Sequence, residues 1–468
     1  MFFRRVTDNE LAQYAYLIGC QRTGEAIIFD PERDIDRYVE LARRDGLRIV
    51  AAAETHIHAD FLSGARQFAS QHGVKLYLSS EGGSDWQSRW ASDGDYDVCL
   101  LKDGDVFGVG NIEFKALHTP GHTPEHMAFL VTDRGGNADT PMGILSGDFV
   151  FVGDLGRPDL LETAAGVTDA MRPSAERLHA STAGFLELPD HLQVWPAHGA
   201  GSACGKALGA VPVSTVGYER RYSPALASAQ GGVDAFVDFI LADQPEPPLY
   251  FARMKALNRD GAPVLDGLPK PPHVAIDELG AADTVVLDTR GDRATFMAGH
   301  LAGSVYAPLD KSFPTIAGSY VEPEREGVFL VIGAADVDRA VRQLVRIGID
   351  DIRGFVEPTQ LSDAALSVIP RVDFASAASM DGSVLDVRRA SEFNAGHVAG
   401  AVNVAHTRLI PRLGEVPSEG PVLVHCRSGA RASSAASFLA RRGFDAVHVD
   451  DNYADGVMDT PQSTEATD

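Results

Sequence analysis

The sequence is poor in cysteine and has no long apolar run. Its 468 residues include four cysteines, Cys20, Cys99, Cys204 and Cys426, and no C-x-x-C pair. This spacing argues against a disulfide framework and is typical of a reducing compartment. No apolar stretch is long enough to cross a bilayer, and the N-terminus lacks the apolar core of a secretion signal. We therefore expect a cytoplasmic protein with no membrane partner.

Basic residues are also scarce. The chain has 41 Lys and Arg against 65 Asp and Glu, which gives a net charge of −24. Such an excess of negative charge argues against a broad phosphate-binding face, so nucleic acid is not expected as a partner. Small anions are repelled as well, so an anionic substrate would need a local basic pocket.

The pattern along the chain indicates several domains, since the length allows two to four cores. Strand-like and helix-like segments alternate up to about residue 217, which predicts a layered α/β architecture. Proline runs at 244–248 and 269–272 then suggest a boundary. We predict a first domain over residues 1–245 and a Pro-rich linker over 246–272.

An internal repeat follows the proline runs. Residues 285–290 (V-V-L-D-T-R) and 296–305 (F-M-A-G-H-L-A-G-S-V) recur as 383–388 (S-V-L-D-V-R) and 393–402 (F-N-A-G-H-V-A-G-A-V). A repeat of about a hundred residues has the length of a domain. We therefore predict two tandem copies of one small α/β domain, over residues 273–365 and 366–468.

Histidines and aspartates cluster in the first domain. His56, His58 and Asp60 form H-x-H-x-D after a predicted buried strand. Three further motifs follow in order, T-P-G-H-T with His122, S-G-D with Asp148, and P-A-H-G with His198. This ordered set resembles the metal signature of the metallo-β-lactamase fold. The resemblance implies an αββα sandwich with a metal centre, followed by the two small α/β domains.

One position departs from the two-metal form of that signature. Hydrolases of this fold usually hold two zinc ions and have H-x-H-x-D-H, whereas this chain has Phe61 in the last position. What remains includes His56, His122 and Asp148, a set of two histidines and one carboxylate of the kind that binds ferrous iron and leaves positions open. Persulfide dioxygenases of this fold use such a triad.

The resemblance thus implies one Fe(II) per chain, or zinc acquired during purification. It also implies that His58, Asp60 and His198 orient the ligands from outside or are remnants of a second site. Asp154 is a rival to Asp148 as the carboxylate ligand.

Two more residues near these motifs are candidates for function. Arg157 is interpreted as a group that holds the carboxylate of an anionic thiol substrate, or alternatively as a surface ion-pair residue. Cys204 follows His198 by six residues in a Gly-rich loop expected to be mobile. It is interpreted as a persulfide relay or as a small residue in a tight loop. This P-A-H-G form resembles the bacterial branch fused to rhodanese domains, whereas stand-alone members carry P-A-H-D-Y.

The second repeat contains a reactive-cysteine loop. Residues 421–424 are a predicted strand, H-C-R-S-G-A-R at 425–431 a loop, and 432–442 a helix. A cysteine facing a helix N-terminus gains N–H groups and a favourable dipole, and Arg427 and Arg431 add positive charge. Four residues separate Cys426 from Arg431, against five in tyrosine phosphatases. The shorter loop resembles rhodanese, which implies sulfur transfer through Cys426.

The first repeat has no such cysteine. Aligning its residues 338–340 with 430–432 places Ala334 opposite Cys426, in an acidic loop. We expect this copy to be a packing, docking or substrate-channel element. In the second copy, Asp386 and His397 are interpreted as scaffold.

Together these motifs predict an enzyme of sulfide detoxification. It would oxidise a low-molecular-weight thiol persulfide, such as that of glutathione, with O₂ to sulfite and free thiol. Sulfur transfer through Cys426 would follow, with thiosulfate as a combined product. The alternatives are a zinc-dependent thioester hydrolase of the glyoxalase II type with an appended sulfurtransferase, or a persulfide sensor or carrier scaffold. We also expect a homo-oligomer.

Overall fold

The computed structural model of the protein describes residues 1–163, 166–280 and 283–453. These residues form two compact units. Unit 1 comprises Met1–Leu268 with the short segment Val345–Gly348, and unit 2 comprises Pro269–Leu344 and the chain from Ile349 onward. No helix of the described residues combines the length and the apolarity needed to cross a membrane.

Unit 1 is built from twelve strands and nine helices within the described ranges. The strands are β1 (Phe2–Asp8), β2 (Gln13–Cys20), β3 (Glu25–Phe29), β4 (Arg48–Ala53), β5 (Lys75–Ser79), β6 (Val98–Leu101), β7 (Val106–Val109), β8 (Ile112–His118), β9 (Met127–Asp133), β10 (Gly143–Gly147), β11 (Gln193–Pro196) and β12 (Ser214–Thr215). The helices are α1 (Asp36–Arg44), α2 (Ala65–His72), α3 (Arg89–Asp93), α4 (Leu160–Thr163), α5 (Met171–Leu186), α6 (Val216–Tyr222), α7 (Pro224–Ala229), α8 (Val233–Leu241) and α9 (Tyr250–Asp260).

The strands of unit 1 form two six-stranded sheets, in the orders β1-β2-β3-β4-β5-β6 and β12-β11-β10-β9-β8-β7. Aromatic and β-branched side chains from both sheets share one core, in which the Phe29 ring lies 5.3 Å from Phe114 and 5.1 Å from Phe129. Tyr38 of α1 and Phe68 of α2 pack on the outer face of the first sheet. Helices α5, α7 and α8 cover the second. The architecture is therefore the αββα sandwich expected from the sequence.

The loops that follow β4, β8, β10 and β11 carry the histidine and aspartate motifs and meet at one edge of this sandwich. Strand β10 ends at Gly147 and runs parallel to β11, which ends at Pro196, so their carboxyl ends lie side by side. Backbone hydrogen bonds join the loops, from Met127 N to Thr55 O at 2.7 Å and from Ala197 N to Gly147 O at 3.0 Å. The fold thereby brings the histidine motifs together.

The predicted linker over residues 246–272 is largely part of unit 1, and this corrects the boundary expected at residue 245. It contains α9, where Asn258 donates hydrogen bonds to His58 O at 2.8 Å and Phe61 O at 2.7 Å. The Trp90 indole N–H in turn donates to Asn258 O at 3.0 Å. Proline runs flank α9 without separating it from the fold, because its side chains support the histidine loop.

Unit 2 contains the two repeats, each with a short parallel sheet. Its strands are β13 (Thr284–Asp288), β14 (His300–Leu301), β15 (Val305–Tyr306), β16 (Gly327–Val331), β17 (Ile352–Val356), β18 (Leu366–Ser367), β19 (Arg371–Val372), β20 (Ser383–Asp386), β21 (Val402–Asn403), β22 (Val422–His425) and β23 (Ala446–Val449). Its helices are α10 (Arg293–Ala298), α11 (Phe313–Tyr320), α12 (Val337–Arg346), α13 (Phe374–Ala377), α14 (Ala390–Ala395) and α15 (Ala430–Arg441).

The two copies share their topology. The strand order is β15-β13-β16-β17 in the first and β21-β20-β22-β23 in the second, where β19 extends the edge. Each copy has the same ion pair at the end of its first strand. Arg290 donates to Asp288 at 2.7 Å and to Gly299 O at 2.9 Å, and Arg388 donates to Asp386 at 2.6 Å and to Gly396 O at 2.7 Å.

The strand register corrects the alignment of the two copies. Asp288 is paired with Val331 in the first copy, and Asp386 with His425 in the second. The next residues, Ile332 and Cys426, are therefore equivalent, so Ile332 and not Ala334 stands where the cysteine does. The sequence alignment was anchored on the helices, and the connection before α12 contains a 3₁₀ turn, Ala334–Asp336, whereas no such turn precedes α15. The first copy still offers no thiol at this position.

Candidate metal centre and sulfur-transfer loop

Three predicted ligands converge in unit 1. His56, His122 and Asp148 are buried, and one ligand atom of each lies within 4.8 Å of the others. The Asp148 Oδ2 atom is 3.4 Å from His122 Nε2 and 4.0 Å from His56 Nε2. These are the two histidines and the carboxylate that the sequence singled out.

Hydrogen bonds orient both imidazoles of this triad. The Thr55 hydroxyl donates to Asp30 Oδ2 at 2.9 Å, so its oxygen is left to accept from His56 Nδ1, also at 2.9 Å. His122 Nδ1 donates to the carbonyl oxygen of Arg157 at 3.0 Å. With each Nδ1 carrying the proton, each Nε2 keeps its lone pair for a metal ion.

The electrostatics of the triad fit a divalent cation. Burial lowers the pKa of His56 and of His122 well below the usual value, so both are neutral, the form that ligates metals. Burial raises the pKa of Asp148 to about 6. Both Asp148 carboxylate oxygens are buried, and apart from the adjacent Cys204 thiol they have no hydrogen-bond donor among the described residues. Leaving such atoms unpaired is costly, and a bound metal ion would satisfy them.

Sequence reasoning missed His126, which positions Asp148. The Asp148 N–H donates to His126 Nε2 at 3.0 Å, and His126 Nδ1 donates to the Thr119 hydroxyl at 2.8 Å. The signal was present, since His126 follows His122 by four residues in the same motif. Gly156 also approaches closely, because a Cβ on it would lie 1.7 Å from Asp148 O. The backbone of Asp148 is thus fixed from two sides.

His58 directs its Nε2 to two carboxylates outside the triad. Its Nε2 lies 2.9 Å from Glu54 Oε2 and 3.1 Å from Asp30 Oδ1. Burial by itself would lower the pKa of His58, but the Asp30 and Glu54 carboxylates raise it well above the usual value. The buried Phe61 ring packs on the other part of His58, with centroids 4.3 Å apart. Asp30 and Glu54 are two further residues that the motif did not indicate.

Asp60, His198 and Cys204 form a second buried group with ligand atoms within 4.8 Å of one another. His198 Nε2 lies 3.3 Å from Asp60 Oδ2 and 3.5 Å from Asp148 Oδ1. Its Nδ1 donates to Ala12 O at 3.2 Å, so this Nε2 also keeps its lone pair. The second group therefore adjoins the triad through Asp148.

The sequence suggested that Cys204 lies in a mobile loop, but the structure buries this residue. Its side chain is buried with 2% of its surface exposed, beside the Asp60 and Asp148 carboxylates. Burial, Asp60 and Asp148 raise the pKa of the thiol well above the usual value. The thiol is therefore a permanent part of this group.

The structure gives Arg157 and Asp154 roles other than those considered. The buried Arg157 guanidinium pairs with Asp159 at 2.8 and 2.6 Å and donates to Ala203 O at 3.0 Å, so it fastens the Cys204 loop. These contacts argue against the substrate-binding role. Asp154 Oδ2 accepts from Lys206 N at 3.0 Å and Ala207 N at 2.9 Å. It anchors the same loop and lies outside the triad.

The departure at Gly199 from P-A-H-D has a steric reason. A Cβ at this position would lie 1.9 Å from the Tyr14 hydroxyl oxygen. The Tyr14 side chain of β2 thus occupies the space that a larger residue after His198 would need.

In unit 2, Cys426 lies at the end of β22 and is buried. The carbonyl oxygens of Arg427, Ser428 and Gly429 accept from Tyr453 N at 2.8 Å, Arg293 Nη2 at 3.1 Å and His448 Nε2 at 2.9 Å. In a trans peptide the C=O and the following N–H point in opposite directions. With the carbonyls held on the outside, the N–H groups of this loop point to its inner side, as an anion requires.

The two predicted arginines of this loop differ in environment. Arg431 forms a two-point ion pair with Glu392 at 2.6 and 2.8 Å and also interacts electrostatically with Cys426. The Arg427 side chain is exposed. His397 is exposed and stacks on Phe393, whereas Asp386 is buried with Arg388, as suits scaffold residues.

Comparison with known proteins agrees with this geometry. Residues 8–198 match the metallo-beta-lactamase superfamily, and residues 372–454 match the rhodanese-like domain family. A mitochondrial persulfide dioxygenase of Bos taurus is 28% identical over 229 residues, which cover 48% of this chain and 76% of the relative. A hydroxyacylglutathione hydrolase of Nitrosococcus oceani is 33% identical over 146 residues, which cover 31% of this chain and 50% of the relative.

A solved structure extends the comparison over both units. The metallo-beta-lactamase from Staphylococcus aureus subsp. aureus COL is 39% identical, with a TM-score of 0.68, and the match covers 76% of this chain and 99% of the staphylococcal chain. The fold class expected from the sequence is confirmed. On this identity and coverage, the chain belongs to the metallo-beta-lactamase superfamily and carries a rhodanese-like domain in its C-terminal part.

Proposed function

We propose that this protein oxidises a low-molecular-weight thiol persulfide with O₂ at one ferrous ion held by His56, His122 and Asp148. The balanced reaction is RSSH + O₂ + H₂O → RSH + SO₃²⁻ + 2 H⁺. Iron, when bound, supplies the redox chemistry with O₂ that zinc lacks. The observation that carries the proposal is the convergence of two neutral imidazoles and one buried carboxylate on the same point.

The surroundings of His58 support one metal ion at the triad over a paired zinc site. In the two-metal signature a histidine stands at the position of Phe61, and here that position carries a buried phenyl ring packed on His58. His58 itself is engaged by Asp30 and Glu54. Phe61 offers no nitrogen to the second group, and Nε2 of His58 is already engaged.

The chain contributes orientation and shielding to this reaction. Thr55 and the Arg157 carbonyl hold the two imidazoles, and His126 holds the backbone of Asp148. All three ligands are buried, so bulk water is kept from the sulfur that is oxidised. Asp60 and His198 border the same space and orient the ligands from its other side.

Sulfur transfer through Cys426 would complete the sequence. The thiolate attacks the outer sulfur of a second thiol persulfide and releases the thiol: Cys–S⁻ + RSSH → Cys–S–S⁻ + RSH. Sulfite then attacks the outer sulfur: Cys–S–S⁻ + SO₃²⁻ → Cys–S⁻ + S₂O₃²⁻. The inward N–H groups of the loop and Arg431 stabilise the anion at each stage. A reducing compartment such as the cytoplasm would keep the cysteine available as a thiol.

A thioester hydrolase is the second candidate, and the group of Asp60, His198 and Cys204 favours it because a second ion could bind there. The similarity to a hydroxyacylglutathione hydrolase points the same way. In that case the purified protein would contain two zinc ions and would cleave glutathione thioesters without consuming O₂.

The test is anaerobic purification with metal analysis, followed by O₂ consumption with glutathione persulfide. We expect about one iron per chain and one sulfite formed per O₂ consumed, recovered as free sulfite together with thiosulfate. His122→Ala should abolish O₂ uptake and leave cyanide-dependent sulfur transfer intact, whereas Cys426→Ser should do the reverse and remove thiosulfate from the products. His72→Ala, at the exposed end of α2, is the matched control. Oxygen uptake that survives His122→Ala would refute the proposal.

A further inference from the structure

A cleft of about 640 Å³ opens in unit 1 next to the candidate metal centre. Ile57, which follows His56, and Pro124, close to His122, line its inner part. Trp86, Lys255 of α9 and Arg177 of α5 line the rest. The cleft thus leads from solvent towards the loops that carry two of the three ligands.

Lys255 is the distinctive group in this cleft. Its side chain is only 6% exposed, and Nζ lies 4.2 Å from the centre of a Trp86 ring. Among the described residues it has no ion-pair or hydrogen-bond partner. Glu125 acts on it electrostatically, with one carboxylate oxygen accepting the Ile57 N–H at 2.8 Å and no hydrogen bond to Lys255. A nearly buried ammonium group without an acceptor is costly and favours an anionic ligand.

We propose that this cleft binds the acidic part of the thiol substrate, with Lys255 holding a carboxylate and Trp86 flanking the adjoining chain. This inference rests on the proposed function and names the substrate class, an acidic, peptide-like thiol. The net charge of −24 repels anionic substrates from most of the protein surface. A positive charge in this cleft would attract them locally.

The test compares two persulfides in the iron-loaded protein, the acidic glutathione persulfide and the uncharged 2-hydroxyethyl persulfide. Lys255→Met should raise KM for the first by about 10-fold or more and leave KM for the second unchanged, with kcat unaffected. Lys75→Met, which removes a positive charge from the exposed side chain of Lys75 in β5, should change neither. An equal effect on both substrates, or no effect, would overturn the proposal.

Calorimetry with glutathione itself separates this inference from the proposed function. If the wild type oxidises neither persulfide, the proposed function fails, but the cleft can still be tested by binding. Wild-type binding that is lost in Lys255→Met supports the cleft. Equal binding by both proteins, or none by the wild type, refutes it.

A separate observation in unit 2 concerns Arg293, which belongs to the copy without a cysteine. Its Nε donates to Asp450 at 2.8 Å, and its Nη2 donates to the carbonyl oxygen of Ser428 at 3.1 Å. Asp450 also packs against Gly429, where a Cβ would lie 2.1 Å from Asp450 Oδ1. The first copy therefore contacts the Cys426 loop directly.

We infer that Arg293 is a positioning residue for sulfur transfer. By holding the Ser428 carbonyl on the outside of the loop, it keeps the N–H of Gly429 directed to the inner side, where Cys426 needs donors. Arg293 and Tyr320 of the first copy interact electrostatically with Cys426, as does Arg431 of the second. The copy without a thiol is then part of the sulfur-transfer site.

The experiment measures the pH profile of Cys426 alkylation and cyanide-dependent sulfur transfer in the full chain. Arg293→Gln should move the alkylation midpoint to higher pH and lower kcat for transfer by about 10-fold, and Arg293→Lys should restore part of both. Arg442→Gln is the matched control, because Arg442 pairs with Glu322 of the first copy without touching the loop. The inference fails if Arg293→Gln leaves the profile unchanged or if Arg442→Gln shifts it equally.

Discussion

The Thr55 hydroxyl lies 2.9 Å from Asp30 Oδ2 and 2.9 Å from His56 Nδ1, so one small side chain connects a buried carboxylate to a candidate metal ligand. This relationship fixes which nitrogen of His56 carries the proton. Such outer contacts commonly govern metal affinity as much as the ligands do.

We therefore expect Thr55→Val to weaken iron binding by about 10- to 100-fold, because His56 Nδ1 loses its acceptor. Competition with a chelator under anaerobic conditions measures the effect. Thr182→Val, a buried threonine of α5 whose hydroxyl donates to His179 O, is the control and should keep its affinity. An unchanged metal affinity in Thr55→Val would contradict this account of the centre.

Gly156→Ala should damage the same centre through packing. The added Cβ would lie 1.7 Å from Asp148 O and 3.2 Å from His122 Cβ, so the backbone that carries Asp148 must move. We expect a loss of stability of about 3 kcal/mol and loss of bound metal. Gly184→Ala, with nothing within 4 Å in α5, should instead be neutral or stabilise the protein by about 0.5–1 kcal/mol. Urea unfolding with metal analysis distinguishes the two, and equal effects would rule out the steric argument.

The Arg431–Glu392 pair predicts a pH dependence of stability. Hydrogen bonding to Arg431 lowers the pKa of Glu392 from 4.5 to about 2. Because the folded pKa lies below the unfolded value, the pair stabilises the folded state above pH 4.5, and this contribution is lost as the pH falls to about 2. Glu392→Gln should thus lower the calorimetric Tm of the full chain at pH 6, with a difference that shrinks towards pH 3. A difference independent of pH would count against the ion pair as its source.

Restoring a thiol to the first copy should not restore sulfur transfer. Ile332 is the equivalent of Cys426, but the following loop contains Asp336 and lacks the two arginines. In a Cys426→Ser background, Ile332→Cys is expected to show no sulfur transfer to cyanide, because an acidic loop disfavours a thiolate. Transfer by this double variant would show that a correctly placed thiol alone is sufficient.

The sandwich and the triad were predictable because their signals are local. Each ligand lies in a short motif directly after a strand, so order along the chain was enough to identify His56, His122 and Asp148. The residues that orient them were not predictable in this way. Asp30 and Thr55 are 25 residues apart, and Asn258 reaches back 200 residues to the His58 carbonyl. Only the folded chain brings such residues together.

Other errors came from composition and from loop geometry. The prolines around α9 suggested a linker, although burial of Lys255 and Asn258 makes the helix part of unit 1. Ala334 was chosen by an alignment without gaps, which cannot anticipate that one loop contains a 3₁₀ turn. Arg157 looked available for a substrate because its partners, Asp159 and Ala203, could not be inferred from spacing.

The place of α9 also limits how this protein could exchange parts with its relatives. A recombination event at the first proline run would separate the His58 and Phe61 carbonyls from the Asn258 amide that satisfies both. The recombined unit 1 would then have two unpaired buried oxygens beneath its candidate ligand loop. A crossover after Leu268 would keep Asn258 but lose Arg346, which belongs to unit 1 and pairs with its Asp8 and Asp34 at 2.6 Å, so neither boundary frees unit 1 from later parts of the chain.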